Sequence, residues 1–141
     1  MEKIRKMKVD DYKAMIKLWE STEGVGINEY DDSKKGIKKF LKRNPKTCFV
    51  AETAEKEIIG TIMGGYDGRR GLIYHLMVKA EYRNKGFGKK LLDRVEKAFV
   101  KNGIMKTYIV TFVTNETGNK FWENNGYSIR DTLNFMSKKI V

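Results

Sequence analysis

The stretch VKAEYRNKGFGKKLL, residues 78–92, joins an apolar run to a helical pattern and places Gly86 and Gly88 at the joint. The first turn of a helix has unpaired N–H groups and a partial positive charge, so it binds phosphate readily. Glycine has no Cβ and lets an anion approach the backbone. The stretch is therefore typical of a phosphate-binding turn, although an ordinary solvated turn has a similar composition.

The residues on either side of this turn predict a strand and a helix. The preceding run LIYHLMV, residues 72–78, is apolar without alternation, which predicts a central strand covered on both faces. The following residues, up to about Asn102, carry apolar side chains at helical spacing and predict a long amphipathic helix. A buried strand, a glycine turn and a helix thus follow one another.

The N-terminal half of the chain predicts a strand, two helices and a hairpin. A short strand covers KIRKMK, and either Asp10 or Asp11 is a typical N-cap for the helix that follows. Ser33 is the expected N-cap of a second helix, which must end before Pro45. The runs TCFVAET and IIGTIMGGYDG then predict the hairpin that leads into the central strand.

The C-terminal part completes a single predicted domain over residues 1–141. TYIVTFV predicts a strand, residues 115–125 a short helix, and residues 126–141 one or two further strands. The order β-α-α-β-β-β-α-β-α-β-β predicts an α/β fold, in which a mixed sheet has helices on both faces.

Composition narrows the function classes. Hydrophobic residues make up 40% of the chain, which excludes disorder by composition. The sequence contains no run of about 18 apolar residues, so we expect no membrane span. The single cysteine, Cys48, is expected to be a buried thiol, and this cysteine usage favours the cytoplasm. The sequence contains no Cys/His cluster with the spacing of metal ligands, so we expect no metal site. The net charge of +11 is spread along the chain without interleaved aromatic residues, so we expect no nucleic-acid partner and no membrane partner.

Charge is nevertheless uneven between residues 18 and 46. Residues 18–33 carry five carboxylates and no lysine or arginine, and residues 34–46 carry seven cations. The carboxylates are Glu20, Glu23, Glu29, Asp31 and Asp32. Such a segment would attract a cationic partner, although a solvated loop has the same composition.

Two motifs together resemble a known family. Residues 78–92 resemble the acetyl-CoA signature of the GCN5-related N-acetyltransferases (GNAT family), in which a valine and four residues precede R-x-x-G-x-G at a helix start. NETGNKFWENNGY, residues 115–127, is similar to the second family motif, N-x-x-A-x-x-[LF]-Y-x-x-x-G-[FY]. The element order also matches. The resemblance covers nearly the whole chain, and residues 60–78 further resemble a small, poorly characterised bacterial subgroup.

The resemblance implies a fold and an activity. The fold would be α/β (α+β), with a mixed, mostly antiparallel sheet of six to seven strands and a splayed central strand pair. The activity would be transfer of an acetyl group from acetyl-CoA to a primary amine, either a small cationic amine or a protein or peptide amine, by direct attack in a ternary complex. Family members are often homodimers. A non-catalytic module that binds acyl-CoA or a nucleotide is the alternative.

The resemblance also implies the residues that bind acetyl-CoA. Backbone N–H groups of the turn would hold the pyrophosphate, from Arg83, Asn84, Lys85, Gly86, Phe87, Gly88 and Lys89. Backbone groups of Leu76, Met77 and Val78 would pair with the pantetheine arm and stabilise the thioester oxyanion. Asn115 would contact the arm.

Trp122 occupies the position of the family's usual tyrosine and would pack against the arm. An indole N–H is not a usable acid, so a tyrosine acid step is in doubt. A thiol with an ordinary pKa of about 8.5 can leave without full protonation. The candidates for a substitute acid are Tyr66, Tyr74, Tyr108 and Tyr127.

An alkylammonium must lose a proton before it attacks a thioester, so the site needs a base. His75 is the only histidine and lies beside the expected strand bulge, and the ordinary histidine pKa of about 6.5 suits this task. Glu116, Glu23 and Glu29 are alternatives that act through water. Glu23 and Glu29 are also the expected contacts of the amine.

Overall fold

The computed structural model describes residues 1–22 and 25–141, which form two compact units, Met1–Val110 and Thr111–Val141. Five strands are present in the first unit: β1 (Lys3–Lys6), β2 (Cys48–Glu52), β3 (Ile58–Tyr66), β4 (Gly71–Val78) and β5 (Thr107–Ile109). The helices are α1 (Tyr12–Glu20), α2 (Lys34–Arg43) and α3 (Phe87–Lys101), with α4 (Glu116–Asn124) in the second unit.

The five strands form one mixed sheet in the order β1-β2-β3-β4-β5. The first four strands run antiparallel to their neighbours, and β5 pairs parallel to β4 after the crossover through α3. A parallel neighbour requires such a crossover, and the predicted helix after the glycine turn supplies it. The predicted mixed, mostly antiparallel sheet is confirmed.

The predicted count of six to seven strands is wrong, because the described chain has five. Residues 128–141 contain no strand, and β5 ends at Ile109 rather than at residue 113. The apolar residues of the C-terminal segment do not alternate at the two-residue period of a half-buried strand. They are exposed at Ile129, Leu133, Phe135, Met136, Ile140 and Val141.

The two faces of β3 pack against different helices, which confirms the prediction of helices on both faces. On one face, a Cβ at Gly64 would lie 2.8 Å from the Phe99 ring and 3.0 Å from Val95 of α3. On the other face, Trp19 of α1 donates from Nε1 to Thr61 Oγ1 at 2.9 Å. Adjacent strand residues point to opposite faces, so the missing side chain at Gly64 lets α3 approach the sheet closely.

The two predicted N-caps differ in outcome. Ser33 caps α2 as predicted, because its Oγ accepts from the Gly36 N–H at 3.0 Å. Asp11 precedes α1 but its side chain does not cap that helix. Its carboxylate instead receives the Arg5 guanidinium at 2.8 and 2.9 Å and the Lys8 N–H at 2.8 Å. The stronger charge-assisted pair has displaced the cap.

Arg5 therefore joins two carboxylates, since it also lies 3.0 Å from Glu52. Burial raises the pKa of Asp11, but the hydrogen bonds from Arg5 and Lys8 outweigh it and hold that pKa below its ordinary value. The Arg5 hydrogen bond likewise lowers the pKa of Glu52. Carboxylates with lowered pKa values stabilise the fold above their unfolded-state pKa, and this stabilisation is lost as pH falls through the folded-state pKa.

Replacing Arg5 with glutamine is expected to lower the free energy of unfolding at pH 7 by about 1–2 kcal/mol, because both carboxylates lose their main donor. The wild-type protein should lose stability as pH falls below about 4, and the variant should lose less over the same range. Urea denaturation at several pH values measures both effects. Lys3→Gln is the matched control, because Lys3 is exposed and lies 3.6 Å from Glu52. Equal pH slopes in wild type and Arg5→Gln would contradict the assignment.

Candidate active site

The strands β4 and β5 separate along their length, as predicted, and β5 lies at the edge of the described sheet. β5 pairs with β4 only from Gly71 to Ile73, and beyond that point Tyr74, Met77 and Val78 pair with β3 alone. Past Ile73, the second edge of β4 therefore has no strand partner among the described residues. Such an edge can accept an extended chain by main-chain hydrogen bonding.

A bulge interrupts β4 where it leaves β5. Thr61 pairs with Met77 and Met63 pairs with Tyr74, so His75 and Leu76 together oppose a single residue of β3. His75 has φ +48°, which is uncommon for a residue other than glycine. Bulges re-aim side chains, and backbone strain of this kind is often found at functional sites.

The backbone and the ring of His75 are both held in place. Its carbonyl accepts from Thr61 Oγ1 at 2.8 Å. Its ring stacks on Trp19 with centroids 4.3 Å apart and planes inclined by 26°. Its Nε2 lies 2.8 Å from Asp32 Oδ1, so one of the two ring nitrogens is in contact with this carboxylate.

Asp32 is a buried carboxylate, 6% exposed, that sequence reasoning did not connect to His75. Its second oxygen accepts from the Asn28 N–H at 2.8 Å, and its carbonyl accepts from the Tyr12 hydroxyl at 2.7 Å. Burial raises the pKa of Asp32, but the hydrogen bonds from His75 and Asn28 outweigh it and lower that pKa. Asp32 therefore stays ionised beside His75.

The predicted phosphate turn leads from β4 into α3. A 3₁₀ turn, Ala80–Tyr82, follows the strand, and the Arg83 N–H donates to the Ala80 carbonyl at 3.2 Å. This N–H of the predicted set is therefore already used within the protein. The Arg83 side chain donates from Nε to the Val78 carbonyl at 3.0 Å. Asn84, with φ +60°, turns the chain towards the helix.

Gly86 is the N-cap of α3 and adopts a left-handed conformation with φ +86°. A Cβ at Gly86 would meet nothing within 4 Å, so the backbone here borders open space. The first backbone hydrogen bond of α3 runs from the Lys90 N–H to the Gly86 carbonyl, at 3.0 Å. The three preceding N–H groups, of Phe87, Gly88 and Lys89, have no backbone acceptor in the described chain. These donors fit an anionic group such as a pyrophosphate.

Two predicted site residues belong to the second unit. Asn115 is the N-cap of α4, because its Oδ1 accepts from the Gly118 N–H at 3.1 Å. Trp122 is 8% exposed and packs edge-to-face on Phe121 and Tyr127, with centroids 5.4 and 4.9 Å away. The side-chain carbonyl of Asn115 is thus used by the helix, and the Trp122 ring is fixed within its own unit. Glu116, an alternative base, lies in the first turn of α4.

A cleft of about 1190 Å³ opens beside the bulge and includes His75 in its lining. The predicted amine contact Glu29 lines it, together with Asp31, whereas Glu23 lies outside the described residues. Tyr74 is the predicted substitute tyrosine that lines this cleft. Burial, with contributions from Tyr108 and Asp31, raises the pKa of Tyr74, so its hydroxyl stays protonated at neutral pH.

Cys48 is a buried free thiol, as predicted, and burial raises its pKa to about 12. Within residues 1–22 and 25–141, no group of three or more His, Cys, Asp or Glu side chains is placed to hold a metal ion. The helices described in the structure are too short or too polar to cross a membrane.

Comparison with known sequences gives one family. Residues 12–127 match the model of the acetyltransferase (GNAT) family. An acetyltransferase of Sodalis glossinidius is 32% identical over 138 residues, covering 98% of this chain and 95% of that protein. An acetyltransferase of Yersinia pseudotuberculosis is 33% identical, with the same coverage of each chain.

Solved structures share the fold. A PaiA N-acetyltransferase from Thermoplasma acidophilum, in complex with coenzyme A, superposes with a TM-score of 0.80 at 24% identity, covering 93% of this chain and 92% of that one. An acetyltransferase with acetyl-CoA from Clostridium acetobutylicum has a TM-score of 0.76 at 20% identity, covering 97% and 96%.

Proposed function

Because this chain belongs to the GNAT family of acetyltransferases, we propose that it transfers an acetyl group from acetyl-CoA to a primary amine, with His75 as the general base. The observation that carries this proposal is His75 at the β4 bulge, bonded to buried Asp32 and lining a large cleft. The bulge lies where β4 loses its pairing with β5. The proposed base and an unpaired strand edge thus lie at one position, which supports the proposal.

The residues that fit acetyl-CoA lie along the same strand and turn. The N–H groups of Phe87, Gly88 and Lys89 would hold the pyrophosphate beside Gly86, and the edge of residues 76–78 would hold the pantetheine arm. When bound, the thioester supplies an electrophilic acyl carbon and a thiol leaving group. A backbone N–H on this edge would stabilise the oxyanion, an effect of about 2.7–4 kcal/mol per donor in other enzymes.

His75 would accept the proton that the acceptor ammonium must lose. Because Asp32 occupies Nε2, the proton would reach Nδ1, directly or through one water. The resulting imidazolium would be stabilised by the adjacent carboxylate. The amine nitrogen forms a bond to the acyl carbon as the carbon–sulfur bond breaks, giving an amide and a thiol. The hydroxyl of Tyr74, kept protonated by its raised pKa, is available to donate a hydrogen bond near the cleft.

The direct test is acetylation of a panel of primary amines, followed by release of free thiol and by the mass of each product. We expect one thiol released for each amide formed, without the initial burst of thiol that a covalent acetyl-enzyme would give. A second candidate is a module that binds acyl-CoA without turnover, which Trp122 at the usual tyrosine position favours. Tight binding of acetyl-CoA without thiol release for any amine would support that candidate instead.

A further inference from the structure

The cleft beside His75 is lined by charges of both signs. The negative charges are Glu29 and Asp31, in the loop before α2, where Asp32 is already bonded to His75. The positive charges belong to α2, whose cleft-lining cations are Lys35, Lys39, Lys42 and Arg43. The predicted acidic acceptor site therefore describes only part of the cleft, and the cations outnumber the available carboxylates.

The four cations lie on one face of α2. Their positions recur at intervals of four, three and one residues, which places them side by side along a helix. Ile37 and Leu41 occupy the buried face of the same helix. Lys34 and Lys38 are exposed on α2 but do not line the cleft. The cationic face is thus a specific stripe rather than a uniformly charged helix.

Among the described residues, these four side chains have no polar partner. None of them forms an ion pair or a side-chain hydrogen bond with residues 1–22 or 25–141. Four unpaired cations in one cleft repel one another and favour an anion. They would also disfavour an acceptor that carries only positive charge.

We propose that the acceptor carries an anionic group, a carboxylate or a phosphate, in addition to its primary amine. This inference rests on the proposed acetyl transfer and names its substrate class. The amine would lie at His75 and the anion at the α2 stripe. Phe40 and Tyr74, whose rings meet edge-to-face with centroids 5.7 Å apart, give the cleft an apolar wall for the carbon skeleton between them.

Four ligands with one scaffold separate the alternatives: pentylamine, 5-aminopentanoate, 5-aminopentyl phosphate and cadaverine. They share a five-carbon chain and a primary amine, but end in a methyl, a carboxylate, a phosphate and an ammonium group. We measure their binding by calorimetry in the presence of CoA, and their kcat/KM by thiol release. We expect at least one anionic member to bind about tenfold or more tightly than pentylamine, and cadaverine to bind most weakly.

The double variant Lys42→Gln/Arg43→Gln should remove that preference by weakening the binding of the anionic ligands, while pentylamine, which carries only a positive charge, should bind no more weakly than to the wild-type protein. Lys34→Gln/Lys38→Gln removes the same charge from the same helix outside the cleft and should preserve the preference. The proposal would be overturned if both double variants lost the preference for anionic ligands equally. It would also be overturned if the wild-type protein bound cadaverine more tightly than the anionic ligands. A retained preference in binding without thiol release would support the anionic site and reject the acetyl transfer. Equal turnover of pentylamine and both anionic ligands would support the acetyl transfer and reject the anionic site.

Discussion

Replacing His75 with glutamine is expected to lower kcat for acetyl transfer by about 10²- to 10⁴-fold at pH 7, the usual contribution of a general base. Glutamine fills a similar space and can hydrogen-bond to Asp32, but it cannot take a proton. The affinity for acetyl-CoA should be unchanged, because the proposed cofactor contacts are backbone groups. Steady-state thiol release gives kcat, and calorimetry gives the affinity for acetyl-CoA.

The pH dependence distinguishes a base from a structural residue. A general base must be deprotonated to act, so the pH profile of wild-type kcat should have an acidic limb, and this limb should vanish in His75→Gln. A variant with wild-type kcat and the same acidic limb would show that another group takes the proton.

Asp32 should act through His75 as a positioning residue. Asp32→Asn is expected to keep the loop folded while removing the charge that stabilises the imidazolium. It should lower kcat and move the acidic limb of the profile to lower pH, because the protonated ring has lost its partner. Asp10→Asn is the control, since Asp10 is a carboxylate outside the cleft. A loss of kcat with no movement of the limb would indicate a purely structural role for Asp32.

The partnership of these two residues illustrates the limit of sequence reasoning. The contact joins residues 43 positions apart, with α2, β2 and β3 between them in the sequence. No periodicity links such positions, so Asp32 was predicted only as one of several acidic residues. Its burial, the hydrogen bond from Asn28 and the left-handed backbone at His75 all depend on tertiary packing. The order of the elements from β1 to α4 was predictable because it follows from local patterns of polarity and turn residues.

The errors have similar physical origins. Residues 126–141 are predicted to form one or two strands, but a strand depends on packing against its neighbours as well as on local sequence, and none forms here. Asp11 was a typical N-cap by type, yet a nearby guanidinium is a stronger partner than a backbone N–H. The cations of α2 could have been assigned to one face from their spacing, but only the fold shows that this face borders the cleft with His75.

The glycine turn was predictable because strand, turn and helix are contiguous in sequence, and Gly86→Glu is its most sensitive test. The substitution adds a carboxylate at the N-terminus of α3, where the proposed pyrophosphate would lie, and places a Cβ at φ +86°. We expect the Kd for acetyl-CoA to rise about 100-fold or more, equivalent to about 2.7 kcal/mol. Calorimetric titration with acetyl-CoA measures this change.

Gly103→Glu is the matched control for this experiment, because Gly103 follows the other end of α3. It too has a left-handed backbone, with φ +80°, and a Cβ at this position would meet nothing within 4 Å. The two variants should therefore share the cost of backbone strain, while only Gly86→Glu repels a phosphate. Gly86→Ala separates the remaining causes, since it adds the strain without the charge and should weaken binding far less. If Gly86→Glu and Gly103→Glu bind acetyl-CoA equally well, the N-terminus of α3 does not hold the pyrophosphate.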